Sequence, residues 1–216
     1  RQAIIANQKS FELAPDWAAP INNNAEIYHH TGQLVRAYLA NQAAINVDIK
    51  DPIPYLHLAN TFRDAQMPEH AVRAYHHSLQ LKPDYLLALN ALATYHLYRD
   101  ELNEALSVLE QALDIDQHNT QALYLSGLIH LLNGKLEQAK NDLLRASKPK
   151  AGLYSLMAKV RVAKLENDHE TLTALTDEIT RYFERGEQWP AHYYLLGLLT
   201  IGLDDKTRAL GYFNLA

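Results

Sequence analysis

Histidine is the residue type here most suggestive of chemistry: the 216-residue chain has 11 of them, and two groups have spacings worth weighing. His76 and His77 are adjacent. Successive helical residues point about 100° apart, so this pair cannot hold one ion from one face. No His-x-x-x-His occurs, and no carboxylate stands four residues from either. The pair reads as solvated surface on the outer side of a helix. His29, His30 and His57 are different, because all three are expected at the edge of one polar groove. Histidine as a residue type titrates at about 6.5, so the trio is a candidate for pH-dependent binding there or for plain polar lining.

The remaining chemistry-bearing patterns are few. Asp204-Asp205 and Glu166-Asn167-Asp168 are paired acids, but both fall in expected turns, where helix capping accounts for them. There is no Gly-rich phosphate loop, no Gly-x-Ser-x-Gly and no His-Glu-x-x-His. With no cysteine, disulfides, thiolate zinc sites, iron–sulfur clusters and a cysteine nucleophile are excluded together. The sequence therefore predicts no enzyme, no catalytic residue, no metal site and no cofactor. Net charge is −5 with both signs interspersed, and no Lys/Arg cluster appears, so direct nucleic-acid binding is not expected. The longest apolar stretches, Tyr193 to Leu203 and Ala122 to Leu132, fall well short of the roughly 20 residues a membrane span needs. Cytoplasm and periplasm are equally compatible with this composition.

What would position any site is a repeat. "AIIANQKSFELAPDW", residues 3–17, and "AVRAYHHSLQLKPDY", residues 71–85, share their order of residue types and lie 68 residues apart, twice 34. Residues 52–85 place Tyr55, Leu58, Ala59 and Phe62, then Ala71, Tyr75 and Pro83, at the spacing of aromatic, Leu, small, aromatic, then small, aromatic, proline. One period earlier stand Ala25, Tyr28, Ala37 and Ala44. Later periods give Leu89, Leu92, Ala93, Ala105, Leu109 and Ala112; Leu123, Gly127, Ala139, Leu143 and Ala146; and Tyr193, Leu196, Gly197, Ala209, Phe213 and Ala216. Small residues in step let paired helices cross closely, while the large ones fill the space between neighbouring pairs. "HTGQ", "LNGK" and "GLDD" supply turns between paired helices, and "LAPDW" and "LKPDY" end one helix and offer Asp16 or Asp84 to the next.

These residues resemble the tetratricopeptide repeat, a helix–turn–helix unit of about 34 residues. The resemblance implies an all-α fold, a right-handed superhelical solenoid of helix pairs. It divides the chain into a lone second helix at 1–17, repeats at 18–51, 52–85, 86–119 and 120–150, a degenerate repeat at 151–189 and an incomplete one at 190–216. The copy near Ala151 is offset by about three residues; Tyr154, Met157 and Ala158 fit, while Leu172, Leu175, Ile179 and Phe183 replace the small column. A longer parent chain is expected.

Members of this family generally bind peptides or proteins along the concave face lined by first helices, and the resemblance implies a non-catalytic scaffold of that kind. Projecting the frame gives a polar half of the groove, Asn22, Asn23, Glu26, His29, His30, His57, Asn60, Arg63 and Asn90, with Asp64 and Thr94. An apolar half follows: Tyr98, Tyr124, Leu125, Leu128, Leu132, Tyr194 and Leu198, with Leu97, Leu131 and Leu195. "ALYLSGLIHLL" and "YYLLGLLTIGL" are apolar around most of the helix, which calls for burial on most faces. A partner peptide, a second copy forming a homodimer, a following segment, or tight packing of neighbouring first helices would each supply it. The carboxylate clamp of the family's co-chaperones is not expected, since its places hold Asn22, Glu26, His57, Leu87 and Ala91. An alternative reading rests on "RYFERGEQWPAHYYLLGLLTIGLDDKTRALGYFNLA", which resembles the closing repeat of bacterial membrane-anchored winged-helix regulators. That would make the chain a C-terminal sensory domain. A repeat domain presenting substrate to a fused transferase ranks behind both, because Asn23 lacks counterparts one period on.

Overall fold

The computed structural model describes residues 2–13, 18–148, 152–184, 190–202, 209 and 212. Among them are twelve helices and no strand. They fall into two compact units, Arg1–Ile115 and Asp116–Ala216. The first holds α1 (Gln2–Leu13), α2 (Ala19–His30), α3 (Leu34–Val47), α4 (Pro52–Asp64), α5 (Pro68–Leu81), α6 (Leu86–Tyr98) and α7 (Leu102–Ile115). The second holds α8 (Thr120–Leu132), α9 (Leu136–Ser147), α10 (Leu153–Glu166), α11 (His169–Glu184) and α12 (Pro190–Gly202). In unit 1, α2 packs on α3, α4 on α5 and α6 on α7; in unit 2, α8 packs on α9 and α10 on α11.

Each pair is closed by the same turn. Gly32, Gln66, Asp100 and Gly134, at steps of 34, all have φ between 58° and 70°, and Asn167 has φ 53°. Around Gly32, the Gln33 N–H donates to the Tyr28 carbonyl (2.8 Å) and the Gly32 N–H to that of His29 (2.9 Å). The same two bonds recur as Met67 to Phe62 with Gln66 to Arg63, and as Glu101 to His96 with Asp100 to Leu97. They recur again as Lys135 to His130 with Gly134 to Leu131, and as Asp168 to Ala163 with Asn167 to Lys164. This is the Schellman ending, which satisfies two carbonyls of the closing helix at the cost of one left-handed residue. Starts are capped less uniformly. Asp51 accepts from the Ile53 N–H, Asn119 from that of Ala122 and Asp168 from that of Thr171. Asp84, expected to serve α6, does not: Tyr85 occupies the cap position and no side chain bonds there. Asp16 lies outside the described residues.

Counting from the left-handed residue aligns the pairs. Seven residues before it stand Ala25, Ala59, Ala93, Gly127 and Val160; five after it stand Ala37, Ala71, Ala105, Ala139 and Leu172. All are buried, so the small residues sit where paired helices meet. At Gly127 the approach is close enough that an added Cβ would lie 2.7 Å from Leu143 Cγ and 3.3 Å from the Ala139 carbonyl oxygen. In α10 and α11 the same two places hold Val160 and Leu172, so that pair meets through larger side chains. The turn residue there comes 33 after Gly134 rather than 34, and Ala158 stands two residues short of the small position. Nine residues after the turn stand Asn41, Tyr75, Leu109 and Leu143, all fully buried. Asn41 breaks that series, and both its amide atoms lack partners.

Candidate functional site

In unit 1 the first helices α2, α4 and α6 lie side by side, and their shared face is polar. Asp51, the α4 cap, also accepts from Asn22 Nδ2 at 2.9 Å. Asn60 Oδ1 accepts from the buried Tyr75 hydroxyl at 2.7 Å and from Arg63 Nη1 at 3.4 Å. Arg63 Nε donates to Asp64 Oδ1 at 2.7 Å, and His29 Nε2 stands 2.8 Å from Asp64 Oδ2. His30 faces Glu26 at 3.7 Å, one helical turn away. Asn22 and Asn90 are buried, Asn23 is exposed, and Thr94 turns its hydroxyl back to the Asn90 carbonyl. The polar set is therefore partly paired, with Asn22 Oδ1 and His57 Nδ1 buried without partners and Asn23, Glu26 and His30 at its outer edge.

That network sets the ionisation of its members. Burial pushes the His57 imidazole below its ordinary value; Glu26 and Asp51 pull it back up, while His29 and His30 push it further down. Burial pushes the Asp64 carboxyl up, but the hydrogen bond and charge of Arg63, with His29, outweigh that and hold it below the usual range. Burial raises the Tyr75 hydroxyl to about 12, so it remains a donor to Asn60. The three groove histidines thus share one neighbourhood, as their spacing predicts. His76 and His77 are both exposed, and His77 lies against the Tyr55 ring at 4.2 Å.

The other end of this face is aromatic. Tyr98 is 82% exposed. With Tyr95, Arg63, Asp64, Gln66, Pro68 and Arg99 it borders a recess of about 430 Å³. Arg99 is held there by Glu101 at 2.8 Å and lies over the Tyr95 ring.

In unit 2, α10 neighbours both α8 and α12, and the expected apolar residues divide. Tyr124, Leu125, Leu195 and Leu198 are buried, so they pack neighbouring helices together. Leu128 and Leu131 are half-buried, whereas Leu132 is 66% and Tyr194 36% exposed. Tyr124 meets the Tyr154 ring at 5.8 Å. Its hydroxyl is pushed up by burial and drawn back by the charge of Arg161, with Tyr194 and Tyr154 adding a small rise.

Arg161 and Tyr154 are absent from the groove set read from the sequence, where this copy is offset by about three residues with Ala158 in the small position. Six residues before the left-handed turn stand Glu26, Asn60, Thr94 and Leu128, and in α10 that place is Arg161. The missing signal was the turn: counted from Asn167, the degenerate repeat falls into frame. The Glu166-Asn167-Asp168 run is that turn itself. Asn167 is left-handed, Asp168 caps α11, and Glu166 pairs with Lys140 at 2.8 Å. The buried Asp142 is likewise spoken for, accepting from the Ser126 hydroxyl at 2.7 Å beside His130 Nδ1 at 3.1 Å.

Among the described residues no group of three or more His, Cys, Asp or Glu could hold a metal ion, and no helix is long and apolar enough to cross a membrane. Asp204-Asp205, Phe213 and Ala216 lie outside the described residues. So does much of the closing run from Arg181 onward, on which the winged-helix resemblance rests.

Residues 96–160 match the family model of the tetratricopeptide repeat. The same hairpin recurs in both units, which have the all-α helix-pair fold of tetratricopeptide-repeat proteins. No curated protein matches it in sequence. Among solved structures it is similar to PilF of Pseudomonas aeruginosa (TM-score 0.65, 17% identity, 90% of this chain and 88% of that one). It is also similar to YrrB, described as a TPR protein with an unusual peptide-binding site (0.57, 16%, 95% and 96%). A third is PilW, described as a widely conserved type IV pilus biogenesis factor (0.60, 18%, 90% and 90%). At these identities the likeness is one of fold.

Proposed function

We propose that the chain is a non-catalytic scaffold that binds a peptide or protein partner along its first-helix faces. The observation that carries this reading is where large side chains are left uncovered. Tyr98, Leu132 and Tyr194 stand exposed at or beside those faces. Second helices carry exposed charge at Arg73 and Glu110, alongside exposed Val35 and Leu39 on α3 and Leu136 and Leu144 on α9. Within each unit, an exposed aromatic or aliphatic side chain on a first helix is what a binding surface requires. YrrB, which shares the fold, is described as having a peptide-binding site. The network around Asn60 and Asp64 supports the same reading by holding the polar face rigid before a partner arrives.

A photo-reactive amino acid placed at Tyr98 or Leu132 tests this in the source cell. The expected result is a discrete crosslinked product from both positions and none from Glu110. Leu128→Glu should reduce that product while helicity is kept. Equal labelling from Glu110, or loss of helicity in the Leu128 variant, would sink the reading. A second copy is the other occupant to examine, through Leu132 and Tyr194; sedimentation of the wild type and Leu132→Glu decides it.

A further inference from the structure

We propose that the first-helix face of unit 2 recognises an acidic side chain of its partner, with the Arg161 guanidinium as the receiving group. This rests on the reading of that face as a peptide groove.

Arg161 lies half-buried on α10, at the place that carries Glu26, Asn60 and Thr94 on the groove face of unit 1 and Leu128 in α8. Its neighbours are aromatic: Tyr124 lies beside it with its own buried hydroxyl unpartnered, and Tyr154 and Tyr194 lie close to Tyr124. No carboxylate among the described residues pairs with it, and its Nε is buried without a partner. Arg36, Arg73 and Arg181 also lack a carboxylate among the described residues, but all three are exposed, whereas Arg161 is half-buried. Arg63 has Asp64, Arg99 has Glu101, Arg145 has Asp142 at 3.8 Å, and Lys140 has Glu166. A half-buried guanidinium loses hydration, and the usual compensation is a carboxylate held by its planar fork.

The rest of the face offers no competing carboxylate: α8 carries no acid, and α10 has none before Glu166. Leu128 and Leu132 on α8 and Tyr194 on α12, the helices that flank α10, would take apolar neighbours of the bound acid. The ligand fitted by this surface is a peptide segment with one Asp or Glu flanked by large apolar residues. A side chain, rather than a chain terminus, is the favoured source. The face is open along α8 and α12, where Leu132 and Tyr194 lie exposed, and a segment running on in both directions uses that length.

The test is selection of displayed random peptides against the intact chain and against Arg161→Gln and Arg161→Lys variants, each checked for unchanged helicity and melting. Wild type should enrich peptides with one acid between apolar residues, and these should weaken by about tenfold or more when the acid is made its amide. The Gln variant should lose that discrimination while still holding the apolar part; the Lys variant should retain some of it. Amidating the peptide C-terminus should change little. Apolar peptides without an acid preference would overturn this inference and leave the groove reading standing. Recovery of no peptide would overturn both. An equal acid preference in Arg161→Gln would place the receiving group elsewhere and sink the assignment. Dependence on a free C-terminus would overturn the side-chain source.

Discussion

The left-handed turn column offers the sharpest test of how this fold is held. Gly134 and Gln66 occupy equivalent places with φ of 70° and 58°. An L-residue in that conformation costs about 1–2 kcal/mol, whereas glycine adopts it freely. Replacing Gly134 with Ala therefore adds that cost, less about 0.5–1 kcal/mol for the smaller backbone entropy alanine loses on folding. Nothing lies within 4 Å of the Cβ that alanine would introduce, so no steric clash enters the sum. The net expectation is a loss of about 1 kcal/mol. Gln66→Gly should run the other way, a gain of about 0.5–1 kcal/mol by the same accounting. Gln66→Ala, which keeps the conformational cost but removes the side chain, should be near neutral. Urea denaturation followed by circular dichroism resolves shifts of this size, and each kcal/mol moves the melting temperature by about 2–4 °C in a chain of this length. If Gly134→Ala left stability unchanged while Gln66→Gly lowered it, the shared Schellman turn would be wrong, and with it the frame that aligns Arg161 with Asn60.

Three further expectations rest on other parts of the molecule. Asn41→Leu should stabilise unit 1 by about 1–3 kcal/mol, the desolvation cost of a buried amide without partners; a loss of stability would mean the amide is satisfied there. Ala105→Leu should destabilise by about 1–3 kcal/mol through overpacking where α6 crosses α7, and an unchanged melting temperature would remove the small-residue column as the reason the helices sit close. The last concerns pH. The His57 imidazole is held below its unfolded pKa, so the unfolded chain binds the proton more readily. Stability should fall as pH drops through about 6.5, the unfolded value, and level off below the folded value. The Asp64 carboxyl, also depressed, loses its contribution only in the far more acidic window below its own unfolded pKa. His57→Gln should flatten the first window alone, and equal slopes in both proteins would show that another group titrates there.

Sequence periodicity settled the architecture because each repeat writes its own packing. Ala25, Ala59, Ala93 and Gly127 are small for one physical reason, the closeness of a crossing helix, and that reason recurs at a fixed step. The turns were legible for the same cause at Gly32 and Gly134, where glycine marks the left-handed residue. They were not legible at Gln66 or Asp100, whose identities give no such mark; only the backbone showed that all four share a conformation. The site was less open to reading. Spacing brought His29, His30 and His57 together with Glu26 and Asp64, but not Asp51, which meets Asn22 from the α4 cap. Apolar content marked Tyr124, Leu125 and Leu198 as groove residues, yet the fold buries them between helices, because a helix apolar on all sides spends most of its faces on its neighbours. Arg161 was hidden because Ala158 mimics the small position, whereas the turn at Asn167 puts Val160 there and Arg161 one place on. The sequence alone determined which faces repeat, because repetition is local. Which of those faces remain uncovered, and which charge among them stands unpaired, depended on contacts between residues far apart in the chain, and only the tertiary structure decided that.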